Sequence, residues 1–282
     1  MALRIGQIDY ANCTPIFAAL QQNFDCSAYR FIKGVPSGLN RMLAEGEIDL
    51  CPSSSIEYGR SPGRYLILPE LSISSIGPVK SVILFSTLPL EKLDGTRIGL
   101  TSESATSVAL LRIILKKYLR FSNHLVDMTV SSPLDALGSC QAVLLIGDTA
   151  LKWRDRLPGL FQYDMGELWY SLTGLPFVFA LWMIREETVQ TGWEESLLLS
   201  ARLVEAKRMA VSALDKLASE CGERFWMGQE ELLSYWRTIS YDLTDFHVEG
   251  LKLYFRCAAE MGILVKEPIL RFLGRSEGEV QS

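Results

Sequence analysis

Short apolar runs alternate with amphipathic stretches over the first two thirds of the chain, and a helical period takes over near Glu194. "LRIGQI" (3–8) reads as a buried strand. "TPIFAALQQ" reads as a helix, with Thr14 as N-cap and Pro15 at the first helical position. "AYRFIKG" is a second strand. In "PSGLNRMLAEGEIDL", Ser37 caps a helix, Leu39, Met42 and Leu43 share one face, Gly46 stops it, and a third strand begins near Ile48. This βαβαβ order predicts a parallel sheet with right-handed crossovers.

A strand in "VKSVILFST" and a turn-rich connector, "LPLEKLDG", lead to a second series. It comprises the strand "TRIGL", a helix from Ser104 to Leu119, the strand "LVDMTV", a short helix "PLDALGS" and the strand "QAVLLIG". "LPFVFALWMIRE" is a further strand, and "SLLLSARLVEAKRMAVSALDKLA" carries apolar residues at helical spacing. Two α/β units joined by paired crossings predict an α/β fold of two lobes around a ligand cleft. Residues 1–85 and 186–282 form one lobe in this reading, and 86–185 the other. Ligands in such sheets bind beyond the carboxyl ends of the strands.

Composition narrows the class. Apolar residues make up 48% and charged residues 22%, which excludes wholesale disorder. A net charge of −5 with scattered basic residues excludes a nucleic-acid surface. The opening "MALRIGQIDY" enters a strand at once, and the longest apolar run, "LPFVFALWMI", is about half of what a membrane span needs. A cytoplasmic protein away from membranes is expected. Six separated cysteines and two histidines predict free thiols and no metal site. A homodimer stays open.

Four loops follow predicted strands and face the expected cleft: "DYANCTP", "CPSSSIEY", "TSESATS" and "IGDTAL"; a fifth, "GPVKSV", lies at the lobe crossing. They are rich in hydroxyls and amides and poor in bases. A helix starting near Ala105 would offer unpaired N–H groups and a positive dipole end to an anion. The alternative is plain capping by Ser102 or Ser104, and the serines before Glu57, the turn residue Asn12 and the first-turn Asp148 admit the same choice. His124 and His247 adjoin no nucleophile motif, and GxSxG is absent, so a Ser-His-Asp hydrolase is not supported.

Six stretches in fixed order carry a resemblance: "RIGQIDYANCTPIF", "LNRMLAEGEIDLCPSSSIEY", "LPELSISSIGPVKSVILFS", "SESATSVALLRIIL", "AVLLIGDTAL" and "TGLPFVFALW". Together they resemble the chorismate dehydratases, the family that opens the futalosine route to menaquinone. The resemblance implies a type II periplasmic-binding-protein fold used as a cytoplasmic enzyme. It also implies loss of water from chorismate to give 3-[(1-carboxyvinyl)oxy]benzoate, without metal or cofactor. The residues it implies are Asn12 and Ser81 in catalysis, and Ser54, Ser55, Ser104, Thr106 and Ser107 on the substrate; Asp148 joins the latter group from its loop. Ser53 departs from the family's apolar-Ser-Ser wording and is left out. The base is open between Glu57, Asp148 and the substrate's own enolpyruvyl carboxylate. Two other readings are a solute-binding protein for a small carboxylate, and the sister enzyme that makes dihydroxynaphthoate with a cleft histidine.

Overall fold

Residues 2–275 are described by the computed structural model. The chain runs through Leu3–Ile8 (β1), Thr14–Asn23 (α1), Tyr29–Gly34 (β2), Pro36–Glu45 (α2), Leu50–Ser54 (β3), Ser55–Arg60 (α3) and Tyr65–Ser75 (β4). Next come Val82–Ser86 (β5), Arg97–Thr101 (β6), Ala105–Ile113 (α4), His124–Met128 (β7), Pro133–Leu137 (α5) and Ala142–Ile146 (β8). Gly147–Trp153 (α6), Phe161–Asp164 (β9), Met165–Thr173 (α7) and Phe177–Arg185 (β10) complete the sheets. Six helices follow: Glu186–Thr191 (α8), Trp193–Ser212 (α9), Leu214–Glu220 (α10), Arg224–Met227 (α11), Gln229–Trp236 (α12) and Asp245–Glu260 (α13).

The strands form two five-stranded sheets, ordered β2-β1-β3-β10-β4 and β7-β6-β8-β5-β9. β1 pairs in parallel with β2 and β3, as the βαβ pattern predicts. Both sheets are nevertheless mixed. β10 runs antiparallel between β3 and β4, and β5 antiparallel between β8 and β9. Each of these strands arrives from the other sheet and fills its backbone hydrogen bonds in the sheet it enters. The chain therefore changes sheet before Val82 and before Phe177, at the near ends of two strands whose far ends carry the expected boundaries.

Caps explain several helix limits. Pro36, not Ser37, opens α2 behind an extended Val35, and Gly46 closes it in the left-handed conformation (φ 78°). α1 begins without a side-chain cap: Cys13, not Thr14, stands at the cap position, and the Thr14 hydroxyl, in the first turn, donates to Glu223. α4 stops at Ile113 and passes into a π turn, Ile114–Tyr118, instead of continuing to Leu119.

The tail rejoins the first sheet: α9 packs on α1 and β4, and α13 on β10 and α4. Burying aromatic residues there drives the docking, each contributing ~1.5–3 kcal/mol. Phe177 lies 4.9 Å from Tyr254 of α13 and 5.3 Å from Trp169 of α7, ring centre to ring centre. That seam ties the tail to both sheets.

Candidate active site

The loops at the carboxyl ends of β1, β3, β6 and β8 converge on one cavity between the sheets, lined among others by Tyr10, Asn12, Ser54, Ser81, Ser104 and Ser107. Gly147 and Tyr235 also face it, and no charged side chain does among the described residues. Its volume is about 50 Å³, well under the ~300–1,000 Å³ usual for small-molecule sites. A ligand with a six-membered ring and two carboxylates can enter only when the lobes part.

Asn12 stands on the β1–α1 loop, and its side-chain oxygen Oδ1 is buried without a hydrogen-bond partner. The loop itself is firmly held. Trp236 Nε1 donates to the Ala11 carbonyl at 2.7 Å, and the Tyr241 hydroxyl to the Asn12 carbonyl at 3.0 Å. Both donors come from the helical tail, which thus positions the first cleft loop.

Ser104 is the N-cap of α4, its Oγ accepting from Ser107 N–H at 3.2 Å. The two hydroxyls also share one hydrogen across 3.0 Å. Each hydroxyl carries one hydrogen, so one O–H of the pair remains to donate into the cavity. Capping and ligand contact are compatible here, because Ser104 and Ser107 are three residues apart and lie on one helix face.

Ser81 sits where the chain crosses between sheets. Asp164 fixes that crossing: its carboxylate accepts from Val79 N–H at 3.0 Å and Lys80 N–H at 2.6 Å, and from Gly166 and Glu167 at the start of α7. Burial pushes its pKa up, and the four N–H groups oppose the rise. The Ser81 carbonyl in turn accepts from Gly147 N–H at 2.8 Å.

Three expected contacts lie off the cavity. Ser55 donates to the Val178 carbonyl at 2.7 Å, which ties the start of α3 to β10. Thr106 accepts from Ile56 N–H at 3.1 Å, capping α3 from the opposite lobe. Asp148 accepts from Ala11 N–H at 3.1 Å and bridges the lobes beside the cavity. Each hydroxyl or carboxylate answers a buried backbone group that would otherwise go unpaired. Ser53 likewise points at Asn40, 2.5 Å away. Glu57 faces an open rim groove and pairs with Arg60 at 2.6 Å. His247 is clasped between Ser240 (2.9 Å) and Thr244 (2.8 Å) at the start of α13, and His124 is exposed on β7; neither lines the cavity.

Tyr10, Gly147 and Tyr235 line the cavity but were not among the expected contacts. Tyr10 had a sequence signal, two residues before Asn12 in the same loop. Tyr235 had none, since nothing local shows that α12 returns to the cleft.

Burial raises the Asp148 pKa to about 6, partly offset by the Ala11 N–H. A raised folded-state pKa means the stability it brings is full below about 3.8 and lost as pH climbs through about 6. The full shift is worth ~3 kcal/mol, reduced to ~1–2 kcal/mol by partial solvent screening. Asp148→Asn keeps an acceptor for Ala11 without the charge. Its melting temperature should exceed that of the unaltered protein clearly at pH 7.5 and by about half as much at pH 5; an equal difference at both would contradict the shift.

Comparison with known proteins agrees with this architecture. The signature of the menaquinone-biosynthesis family matches residues 3–260. Chorismate dehydratase from Thermus thermophilus is 32% identical over 268 residues, covering 89% of this chain and 93% of that protein. Chorismate dehydratase from Campylobacter jejuni is 31% identical over 179 residues, 62% of this chain and 64% of that protein. The periplasmic aliphatic sulphonate binding protein SsuA from Escherichia coli superposes with a TM-score of 0.65 at 15% identity, over 94% of each chain, a likeness of fold alone. The chain thus has the two-lobed periplasmic-binding-protein-like fold and belongs to the menaquinone-biosynthesis family.

Proposed function

We propose that this chain is a cytoplasmic chorismate dehydratase, a lyase that removes water from chorismate to give 3-[(1-carboxyvinyl)oxy]benzoate. The observation that carries the reading is the unpartnered Asn12 Oδ1 in a cavity whose other polar groups are hydroxyls set among apolar side chains. A buried acceptor without a donor costs ~1–3 kcal/mol, so the site is built for a ligand that supplies one. Chorismate as a dianion has one hydrogen-bond donor, the ring hydroxyl that must leave. Its two carboxylates need donors, which Ser54, Ser81, the Ser104–Ser107 pair and the start of α4 offer.

The reaction follows from these placements. A base takes the proton from the ring carbon bearing the enolpyruvyl ether. The electron pair spreads through the ring double bond onto the ring carboxylate as an enediolate, where serine donors stabilise it. The pair then returns and expels the neighbouring hydroxyl, which takes up the proton and leaves as water from an aromatic ring. Asn12 accepts from that hydroxyl and fixes its direction. The cavity wall offers no base: Glu57 is on the rim, and Asp148 is turned to Ala11. The substrate's own enolpyruvyl carboxylate therefore takes the proton in this reading.

Incubation of the purified protein with chorismate should yield an aromatic product one water lighter than the substrate, followed by ultraviolet absorbance and mass spectrometry. Tight binding without product would turn the reading toward a solute-binding protein.

A further inference from the structure

We propose that the Tyr10 hydroxyl is a second catalytic group in this cavity, donating a hydrogen bond to the oxygen of the hydroxyl that leaves. The inference rests on the dehydratase reading and adds a residue to it.

Two side-chain polar atoms at the cavity wall are buried with no partner within hydrogen-bond distance: the Tyr10 hydroxyl, which has the Glu103 carboxylate nearby, and Asn12 Oδ1. They come from one loop and are complementary, a donor and an acceptor. A carboxylate could satisfy Tyr10 but not Asn12, because it has no hydrogen to give. A hydroxyl satisfies both, giving its hydrogen to Asn12 and receiving one from Tyr10.

The ring of Tyr10 is held where this requires. It lies over Gly147 of the opposite lobe, so close that a Cβ there would stand 2.7 Å from Tyr10 Cε2. Closure of the lobes thus seats the ring and excludes water from its hydroxyl.

The group keeps its proton. Burial, with the nearby Glu103 carboxylate acting both by its charge and as an acceptor and the charge of Asp148 added, pushes its pKa far above the ordinary phenol value. Tyr10 therefore acts as a hydrogen-bond donor and not as an acid that must be recharged. In the elimination, the carbon–oxygen pair leaves with the oxygen. The proton first taken by the substrate carboxylate completes the water, and the Tyr10 O–H strengthens its bond to that oxygen as negative charge gathers.

Tyr10→Phe removes the hydroxyl and leaves the ring on Gly147. With chorismate as substrate, kcat should fall about 30-fold or more, on the scale of a lost transition-state donor. The dissociation constant for chorismate, from calorimetry, should change less than about threefold and the melting temperature by no more than about 2 °C. A variant within about threefold of the unaltered kcat would overturn the proposal, and so would a loss in affinity as large as the loss in kcat, which would make Tyr10 a ground-state ligand. An unaltered protein that leaves chorismate intact would overturn the dehydratase reading itself.

Discussion

Asn12→Asp is expected to cost about 10²–10³-fold in kcat while the protein still folds and binds chorismate. Aspartate has nearly the shape of asparagine but brings a carboxyl into a cavity that already receives two carboxylates. It loses the amide hydrogens and, when ionised, repels the enediolate that forms on the ring. The loop should stay in place, because its backbone is held by Trp236 at Ala11 and by Tyr241 at Asn12. Asn12→Ala is the companion test. It removes a buried acceptor that has no partner, so stability should hold or rise by up to ~1 kcal/mol while turnover falls. Steady-state kinetics with melting curves decide this: near-normal turnover in the alanine variant would remove Asn12 from the mechanism.

Much of the framework was legible because local pattern and tertiary role agree there. β1, α1, β2 and α2 follow their hydrophobic periods, and β10 is apolar without a break from Phe177 to Ile184. The hydrophobic pattern does not predict β4. Its eleven residues are interrupted by Pro69 and by Glu70 in a left-handed conformation (φ 61°), which breaks the alternation. The pairing of β4 with β10 is irregular as well, and Lys207 of the tail secures the Glu70 carbonyl at 2.8 Å. The antiparallel placement of β5 and β10 could not be read, since it depends on which sheet a crossing chain enters.

The hydroxyl loops were legible as a class and ambiguous in detail. The chain turns from strand to helix between Ser54 and Ser55, so Ser54 at the end of β3 reaches the cavity while Ser55, the first residue of α3, serves β10. On α4 the helical period puts Ser104 and Ser107 on one face and Thr106 away from it, where its hydroxyl caps α3. Composition counts these hydroxyls together; geometry separates them.

Gly147→Ala should lower kcat/KM roughly 10- to 100-fold, equivalent to ~1.4–2.7 kcal/mol. Gly147 has φ 58°, where an L-residue costs ~1–2 kcal/mol. Its new Cβ would also press on the Tyr10 ring, 2.7 Å from Cε2 and 3.0 Å from Cζ. The backbone has little room to yield, because Gly147 N–H is bound to Ser81 and the next residue accepts from Ala11. Tyr10 must therefore move out, and the closed arrangement of the lobes loses its seal. A double-mutant cycle with Tyr10→Ala separates the two causes. In that background the clash is gone and only backbone strain remains, so Gly147→Ala should cost clearly less affinity for chorismate than it does opposite the intact ring. Equal costs in both backgrounds would mean that the contact between Tyr10 and Gly147 plays no part in closing the site.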